Sequence, residues 1–348
     1  MLGESKRIFI SVIIPTYDAE KTIINTLNSF ISQTFDKDKF EILIVDDGST
    51  DNTKKLVNEF INKYGNLLSI KFIEISHKGA AAARNVGIKN SLGDIIVFID
   101  SDCIAPTNWL EEIARTLSRS EEKCAGICSI YEPINNKSLI SRFIQYDHEF
   151  RVFKVISINN STDFVGSYGV AFKKSALLNA GLFNEKFTSA DGEDADLSYR
   201  ITSLGYKLKY NPYLRILHNH PSTVKKFLKQ QISRGKWRIF LFRKYPRKFG
   251  MDKYSGLNQI VQPLLQGILL ILAATILYFG LLNTLILSLV LIYVIPVLLN
   301  IRFLNYTRSK GEKLTNILAY SLLLCIRGLC WIIGACLGLG RLFSRGKS

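Results

Sequence analysis

One long stretch without any charged side chain constrains this 348-residue sequence more than any other feature. From Tyr254 to Ile301 there is no Asp, Glu, Lys or Arg, and most of the positions are Leu, Ile or Val. One transmembrane helix takes about 20 residues, so a run of this length accommodates two. The sequence therefore predicts a transmembrane hairpin over 254–301, with its turn in the segment FGLLNT around Gly280 and Asn283.

Basic residues flank this stretch on both sides: Arg243, Lys244, Arg247, Lys248 and Lys253 precede it, and Arg302, Arg308, Lys310 and Lys313 follow it. Because Lys and Arg concentrate in cytoplasmic loops, both ends of the hairpin are expected on the cytoplasmic side. The N-terminal sequence also lacks the apolar core and cleavage site of a signal peptide. We therefore expect a protein that is integral to the plasma membrane, with a cytoplasmic N-terminal domain.

Two further segments are expected at the membrane. Residues 221–253 include VKKFLKQQISRGKWRIFLFRKYPRK, whose interleaved basic and apolar residues predict an amphipathic interfacial helix on anionic lipids. A solvated basic face is the alternative. Residues 302–348 comprise a basic loop, a third apolar stretch from Leu314 to Gly340 and a basic tail. Because Arg327 is costly in hydrocarbon, this stretch spans the membrane, lies in the interface or packs on the hairpin.

The first 220 residues show a different pattern, in which short apolar runs alternate with helical periodicity. Four strands are predicted, IFISVIIPTY, FEILIVDDGST, LSIKFIEIS and DIIVFIDSD, and three helices between them, AEKTIINTLNSFISQT, TDNTKKLVNEFINKYG and GAAAARNVGIKNSLG. This alternation predicts an α/β domain over 1–220 with crossover connections and a mostly parallel sheet. Its site is expected at the carboxyl ends of the strands.

Carboxylates follow the second and fourth predicted strands. Asp100 and Asp102 end the fourth strand, and two acids at one point suit a hard divalent cation, Mg²⁺ or Mn²⁺, that also contacts phosphate oxygens. A solvated acidic loop is the alternative. Asp46 and Asp47 end the second strand, where one of them could accept hydrogen bonds from a base or ribose. Here the alternative is an Asp-Gly turn that caps the next helix.

Five segments, in this order and at these spacings, resemble the motifs of a family 2 inverting glycosyltransferase of GT-A fold: SVIIPTYDAEKTI, EILIVDDGSTDNT, GAAAARNVGI, GDIIVFIDSD and GEDADLSYRITSLGYKLKYNP. The resemblance covers about residues 8 to 245. It implies a nucleotide-binding, mixed but mostly parallel sheet flanked by helices. Residues 1–220 are then the catalytic domain, and the apolar C-terminal helices anchor it to the membrane.

On the donor side, the resemblance implies that Pro15, in a turn after the first strand, holds the nucleotide together with Tyr17 and the Asp46–Asp47 pair, of which Asp47 is the direct contact. Arg84 and Asn85 belong to the helix that closes over the diphosphate. Asp100 and Asp102 form the D-x-D motif, with Asp102 as the direct metal ligand and Asp100 shared with the nucleotide. In LRILHNHPS a histidine completes the metal site, and His218 fits better than His220.

On the acceptor side, the resemblance makes Asp194 of GEDADL the catalytic base and Glu193 its partner. Displacing a diphosphate from an anomeric carbon needs a cation for the leaving charge and a base on the opposite face for the attacking hydroxyl. Without the other motifs, an acidic loop that caps a helix near Ala195 would explain the same residues. Further acceptor-binding residues are expected at Gly166, Gln231, Arg234 and Trp237.

Two positions depart from the family pattern. Gly169 stands where many relatives have Asn, and Gly235 follows Arg234 where processive synthases have Trp. With Trp237 displaced in this way and only two or three membrane segments, processive polymerisation is not expected.

The sequence thus predicts a metal-dependent hexosyltransferase of cell-envelope glycan biosynthesis, with Mn²⁺ or Mg²⁺ as cofactor and a nucleotide sugar, taken to be a UDP-sugar, as donor. Because a sugar hydroxyl needs a base, the expected acceptor is a hydroxyl of a lipid-linked or growing glycan. The alternatives are transfer to polyprenyl phosphate and a non-catalytic nucleotide-binding scaffold. Nucleic acid is not an expected partner, because much of the formal charge of +16 flanks the membrane segments. No G-x-G-x-x-G follows the first strand, which excludes a dehydrogenase.

Overall fold

The computed structural model of the chain describes residues 9–187, 192–248, 254, 256–279 and 282–345. The predicted hairpin turn at Gly280 lies outside the described residues. The chain divides into two compact units. The N-terminal unit comprises Met1–Ile134 and Val155–Asn219, and the C-terminal unit comprises Asn135–Lys154 and His220–Ser348. The boundary near residue 220 is therefore accompanied by a second excursion of the chain, at 135–154, that the sequence pattern did not indicate.

The N-terminal unit contains one eight-stranded sheet. Its strands are β1 Ile10–Thr16, β2 Phe40–Asp46, β3 Ser69–Glu74, β4 Ile95–Ile99, β5 Cys103–Ile104, β6 Cys124–Pro133, β7 Gly169–Lys173 and β8 Lys207–His218. The strand order is β3-β2-β1-β4-β7-β6-β8-β5. The first four strands pair in parallel, β7 is antiparallel to both of its neighbours, and β5 is antiparallel to β8. This confirms the predicted mixed, mostly parallel sheet.

The helices that accompany this sheet follow the predicted alternation. They are α1 Ile23–Ile31, α2 Thr53–Tyr64, α3 Ala80–Asn90, α4 Trp109–Ser118, α5 Leu139–Ile158, whose residues up to Lys154 belong to the C-terminal unit, α6 Lys174–Asn179 and α7 Glu193–Ser203. Helix α3 is rich in alanine because it lies close to the sheet. A Cβ atom added at Gly87 would come within 2.4 Å of the Ile13 side chain on β1.

The strands β1, β2 and β4 are buried at every position, which explains why they are continuous apolar runs rather than alternating ones. Pro15 was expected in a turn after the first strand, and this is wrong. It lies inside β1, buried and in register with Val45 of β2. Proline is tolerated there because the pairing of β1 with β4 ends at Ile13, so no ladder hydrogen bond from residue 15 is required on that side.

The C-terminal unit consists mainly of helices and includes the first part of α5. Its further helices are α8 Val224–Lys244, α9 Asn258–Tyr278, α10 Leu282–Leu299, α11 Ile301–Ser309 and α12 Leu314–Arg345. Two described segments, Asn258–Tyr278 and Leu314–Gly340, are long and apolar enough to cross a membrane. The pair Leu285–Leu299 and Ile301–Ser309, bent by 60°, makes three if it counts as one span. The hairpin over 254–301 remains a prediction.

Glycines bring α8 and α12 into close contact within this unit. A Cβ atom at Gly235 of α8 would lie 2.6 Å from the Trp331 carbonyl oxygen, and one at Gly334 of α12 would lie 2.1 Å from the Ile232 carbonyl oxygen. Gly334 and Gly338 have the four-residue spacing that allows helix backbones to approach closely. This contact explains why glycine follows Arg234: a tryptophan at 235 would collide with the backbone of α12.

Candidate functional site

The side chains that follow β1 and β2 meet at the start of α3. Asp47 is buried, and its two carboxylate oxygens accept hydrogen bonds from the backbone N–H groups of Lys78 and Gly79, at 2.8 and 2.9 Å. Gly79 has a φ of 96°, which only glycine adopts readily, and α3 begins directly after it. Asp47 therefore fixes the loop that leads into α3 and keeps lone pairs for a further donor.

His77 completes this corner, and the sequence analysis did not identify it. Its Nδ1 lies 2.9 Å from Asp47 Oδ2, and its ring lies 4.4 Å, centroid to centroid, from the ring of Tyr17. The Tyr17 side chain is exposed, so its outer face is available for stacking. The pair of rings beside a buried carboxylate is suited to a flat heterocycle with a hydroxyl-bearing substituent.

Asp46 serves the turn after β2. Its carboxylate accepts hydrogen bonds from the backbone N–H and the hydroxyl of Ser49. Gly48 between them has a φ of 78°, and a Cβ atom there would come within 3.1 Å of the His77 backbone nitrogen. The described contacts of Asp46 are thus those of an Asp-Gly turn, the alternative that the sequence left open for this position.

Arg84 of α3 connects the end of β4 with the start of α7. Its guanidinium donates to Asp100 Oδ1 at 3.1 Å and to Glu193 Oε1 at 3.0 Å, and its side chain is only 3% exposed. The amide of Asn85 is hydrogen-bonded to the backbone of Phe183 and to the Glu185 carboxylate. The described contacts of Arg84 and Asn85 thus hold together the segments around the site, and their expected position against the diphosphate stays a prediction.

Asp194 lies in the first turn of α7, where the helix dipole favours a negative charge. Gly192 before it has a φ of 104°, so glycine is required at the point where the helix starts. Asp194 Oδ2 accepts a hydrogen bond from the Ser167 backbone N–H at 3.2 Å. Its buried Oδ1 has no hydrogen-bond partner among residues 9–187, 192–248 and the other described parts of the chain.

The charge state of Asp194 reflects opposing influences. Burial raises the pKa of its carboxyl group, whereas the Arg84 guanidinium and hydrogen bonds from Ser167 lower it; the net pKa is raised above the ordinary value for aspartic acid. A carboxylate with a raised pKa and one uncommitted oxygen is a suitable proton acceptor for a hydroxyl group.

The antiparallel pairing of β5 with β8 places Cys103 opposite His218 and brings Asp102 beside this histidine. The distance from His218 Nε2 to Asp102 Oδ2 is 3.7 Å. His220, the other candidate, bonds Gln145 in the C-terminal unit instead, with its Nε2 2.8 Å from the amide oxygen. Burial raises the pKa of Asp102, which the neighbouring Asp100 also raises and His218 lowers.

The donor set at this point fits a divalent cation. Ligand atoms of Asp102, Cys103 and His218 lie within 4.8 Å of one another. Burial raises the pKa of the Cys103 thiol well above its usual value. Mn²⁺ and Mg²⁺ prefer oxygen and imidazole ligands to sulfur, so the Asp102 carboxylate and the His218 imidazole are the suitable ligands of this group.

The predicted acceptor-side residues are distributed over both units. In the N-terminal unit, a Cβ atom at Gly166 would meet the Tyr168 ring at 2.5 Å, and one at Gly169 would meet the Ile216 side chain at 3.1 Å. In the C-terminal unit, Gln231 and Trp237 are buried, and the Gln231 side-chain oxygen accepts from Trp331 Nε1 at 3.1 Å; Arg234 is exposed.

Comparison with protein families gives two overlapping matches. The model described as glycosyl transferase family 2 matches residues 11–178, and the one described as glycosyl transferase family group 2 matches residues 95–333. Together they include both strand ends with paired acids, helices α8 to α11 and the first part of α12.

Individual proteins are also similar. Glycosyltransferase AglE of Haloferax volcanii is 32% identical over 232 residues, which are 66% of this chain and 73% of AglE. Dolichyl N-acetyl-alpha-D-glucosaminyl phosphate 3-beta-D-2,3-diacetamido-2,3-dideoxy-beta-D-glucuronosyltransferase of Methanococcus voltae is 28% identical over 273 residues, 75% of this chain and 83% of that protein. The mannosyltransferase PcManGT from Pyrobaculum calidifontis, solved with GDP-Man and Mn²⁺, has the same fold: the TM-score is 0.65 at 18% identity, covering 96% of this chain and 88% of PcManGT.

Proposed function

The chain belongs to glycosyl transferase family 2, and we propose that this GT-A glycosyltransferase is a divalent-metal-dependent, inverting enzyme. It transfers a sugar from a nucleoside diphosphate to a hydroxyl group of a lipid-linked or growing glycan at the cytoplasmic face of the membrane. The observation that carries the proposal is the Asp194 carboxylate, which is buried at a helix start with one oxygen held by Ser167 and the other uncommitted within the described residues.

For the donor, the support lies in the corner around Asp47. Tyr17 and His77 offer aromatic faces to a base, and Asp47 retains acceptor capacity for ribose hydroxyls or a base N–H. Neither feature distinguishes one nucleobase from another. UDP is the nucleotide that we propose. Pro15 contributes to this corner by fixing the backbone of β1 just before Tyr17.

For the diphosphate, Asp102 and His218 would hold the divalent ion, which when bound neutralises the charge that develops on the departing diphosphate. Asp100 lies next to this proposed ion site, directly after β4, and Arg84 fixes the direction of its carboxylate. The PcManGT structure contains Mn²⁺ together with its nucleotide sugar, and this supports the same arrangement here by its fold alone.

For the acceptor, Asp194 accepts the proton of the attacking hydroxyl, and attack from the face opposite the diphosphate inverts the anomeric centre. Glu193, held by Arg84, fixes the first turn of α7 and with it the direction of Asp194. A lipid phosphate is already ionised and needs no such base, so the base favours a hydroxyl acceptor. The relative from Methanococcus voltae is named for transfer to a sugar carried on dolichyl phosphate, which supports this acceptor class.

The test is transfer by the purified full-length protein. A panel of nucleotide sugars is supplied with Mn²⁺ or Mg²⁺, together with either polyprenyl phosphate or a polyprenyl-diphosphate-linked sugar. We expect product only with the lipid-linked sugar, loss of product with EDTA, and loss in Asp194→Asn. Asp94→Asn is the matched control, because Asp94 is exposed and precedes β4 at the end of the strand opposite Asp100. Transfer to polyprenyl phosphate alone, with an active Asp194→Asn variant, would contradict the proposal, and no turnover with any donor would favour a non-catalytic scaffold.

A further inference from the structure

The C-terminal unit contains a buried carboxylate surrounded by guanidinium groups. Asp147 of α5 forms ion pairs with Arg151 one turn further along the same helix and with Arg327 of α12. The Arg327 Nη1 to Asp147 Oδ1 distance is 2.9 Å. Arg234 of α8 lies close enough to act electrostatically on both Asp147 and Arg327. Three cations from three helices therefore converge on one anion.

One carboxylate and three guanidinium groups leave this cluster with an excess of two positive charges. Helices α8 and α12 contain no acidic residue, and the other acidic residue of α5, Glu149, pairs with Lys310 at 3.4 Å. Glu312, in the loop before α12, pairs with Arg142 at 2.8 Å. Burial alone would raise the pKa of Asp147, but Arg151, Arg327 and Arg234 lower it below the ordinary value. Asp147 is thus ionised and cannot neutralise more than one of the three guanidinium groups.

Arg327 also has an unused donor. Its side chain is only 3% exposed, and its Nε–H has no hydrogen-bond partner among the described residues. The rings of Phe143 and Trp331 lie against its guanidinium, at 6.0 and 5.1 Å from the Cζ atom, and supply no acceptor in the plane. A buried N–H group that lacks an acceptor costs free energy, so the Arg327 Nε–H is a donor that an anionic ligand would satisfy.

Arg234 is the exposed member of the cluster. Its guanidinium forms no ion pair or hydrogen bond with any residue that the structure describes. It lies one helical turn from Gln231, whose side chain contacts Trp331 of α12. An anion that contacts Arg234 would therefore also lie within the electrostatic reach of Arg327.

The chemistry of the ligand follows from the charge and from the helices. An excess charge of two matches a phosphate monoester or a diphosphate, and guanidinium groups bind such oxygens through paired hydrogen bonds. A phosphodiester headgroup carries one charge and matches less well. Because α12 contains one of the two segments apolar enough to cross a membrane, an anion attached to a hydrocarbon chain is the source that we favour.

We propose that Arg327, Arg234 and Arg151 form a binding site for the phosphate or diphosphate group of a single-chain lipid, and that this site holds the carrier of the acceptor glycan. The second half of this statement rests on the proposed function; the binding itself does not.

Binding is measured on the full-length protein in nanodiscs of phosphatidylcholine, with polyprenyl phosphate or polyprenyl diphosphate as the probe and the shift in Tm as the readout. We expect a dose-dependent rise in Tm for the wild type. Arg234→Gln should weaken apparent affinity about tenfold or more, because a charge-assisted hydrogen bond is lost. Arg243→Gln, a change of another exposed arginine on α8, should leave it unchanged.

A second pair of variants separates ligand binding from a merely structural ion pair. Asp147→Asn removes the competing anion and should strengthen binding of the lipid phosphate, whereas Arg327→Gln should abolish it. A structural ion pair would lower Tm in both variants without opposite changes in affinity. If these buried variants fail to fold, Arg234→Gln alone still tests whether the site binds the lipid phosphate, because the Arg234 side chain is exposed.

Two further ligands, inorganic pyrophosphate and phosphatidylglycerol, identify the source of the phosphate. Inorganic pyrophosphate that stabilises as strongly as the lipid probe, or phosphatidylglycerol that does so with the same dependence on Arg234, would overturn the assignment to a single-chain lipid phosphate. Equal binding by wild type and Arg234→Gln would overturn the site. Asp194→Asn should bind the probe as the wild type does, so that an absence of sugar transfer with retained binding would count against the proposed function only.

Discussion

The two units of the chain each bury a charge cluster, and the two clusters are opposite in sign. In the N-terminal unit, one guanidinium, Arg84, lies among the carboxylates of Asp100, Glu193 and Asp194. In the C-terminal unit, one carboxylate, Asp147, lies among three guanidinium groups. The sign of the excess charge agrees with the ligand that we propose for each unit: a divalent cation beside the acidic cluster and a phosphate group at the basic cluster. Neither could be recognised from overall charge, which is +16.

The largest expected effect concerns the acidic cluster. Asp194→Asn should lower kcat by about 10²- to 10⁴-fold, because a positioned base contributes that much to proton transfer. Steady-state transfer assays measure the change, with Asp94→Asn as the control. If Asp194→Asn retained most of its activity, the carboxylates of this unit would serve the fold rather than the reaction.

The next effect tests how the acidic cluster depends on its single cation. Arg84→Gln should destabilise the protein by about 3–5 kcal/mol near neutral pH, because the carboxylates of Glu193 and Asp194 lose their buried counter-charge. Without Arg84 their folded-state pKa values rise, so stability returns as the pH falls toward the carboxyl range, about 4. Chemical unfolding at several pH values measures this; a loss that did not change with pH would contradict the electrostatic explanation.

The matched change in the basic cluster sharpens the comparison. Asp147→Asn should also destabilise the protein, but lowering the pH from neutral should give no relief, because arginine stays protonated, with a pKa of about 12 or more. The same unfolding series measures both variants. Parallel pH profiles for Arg84→Gln and Asp147→Asn would show that the sign of the cluster is not the controlling property.

A smaller effect is expected where the helices of the C-terminal unit touch. Gly235→Ala should cost about 1–3 kcal/mol, because the added methyl group meets the Trp331 carbonyl oxygen at 2.6 Å. Gly340→Ala on α12 is the control, since a Cβ atom there has no described atom within 4 Å and alanine favours a helix. Thermal unfolding in detergent compares the two, and equal Tm values would mean that α8 and α12 do not pack through Gly235.

The smallest effect concerns the pH profile. Ser167→Ala removes a side-chain hydrogen bond that lowers the pKa of Asp194, so that pKa should rise. A base must be deprotonated to act, and the acid limb of the kcat/KM profile should therefore move to higher pH. Ser129→Ala is the control, because Ser129 bonds Trp109 and Tyr168 instead. A shift to lower pH would contradict the role of Asp194.

The hydrophobic pattern of each short segment was sufficient to predict β1 to β4 and α1 to α3, because the apolar run of a strand and the apolar face of a helix depend on the residues of that segment alone. It also located Asp100 and Asp102 at a strand end, since β4 is a continuous buried run. The position of Pro15 was predicted wrongly. A proline is tolerated inside β1 only because the pairing of β1 with β4 ends at Ile13, and the local sequence does not indicate where that pairing ends.

Contacts between distant residues account for the rest. His77 follows β3, and only the parallel pairing of β2 with β3 brings it to Asp47 and Tyr17. Arg327 and Asp147 are 180 residues apart in the chain, so the sequence indicated Arg327 only as a charge that is costly in hydrocarbon. Gly235 departed from the family pattern for a reason that becomes visible only when α12 lies against α8.

The central claim is that Asp102, after the end of β4, and His218, at the end of β8, bind a divalent ion that contacts the donor diphosphate. Its most direct measurement is the stabilisation of the full-length protein by Mn²⁺ and a nucleoside diphosphate, supplied separately and together. At 100 times Kd such a ligand adds about 2.7 kcal/mol of stability. We predict that stabilisation requires both components, is lost in Asp102→Asn and persists in Asp94→Asn. Stabilisation by the nucleotide without metal, or an Asp102→Asn variant that responds as the wild type does, would contradict the claim.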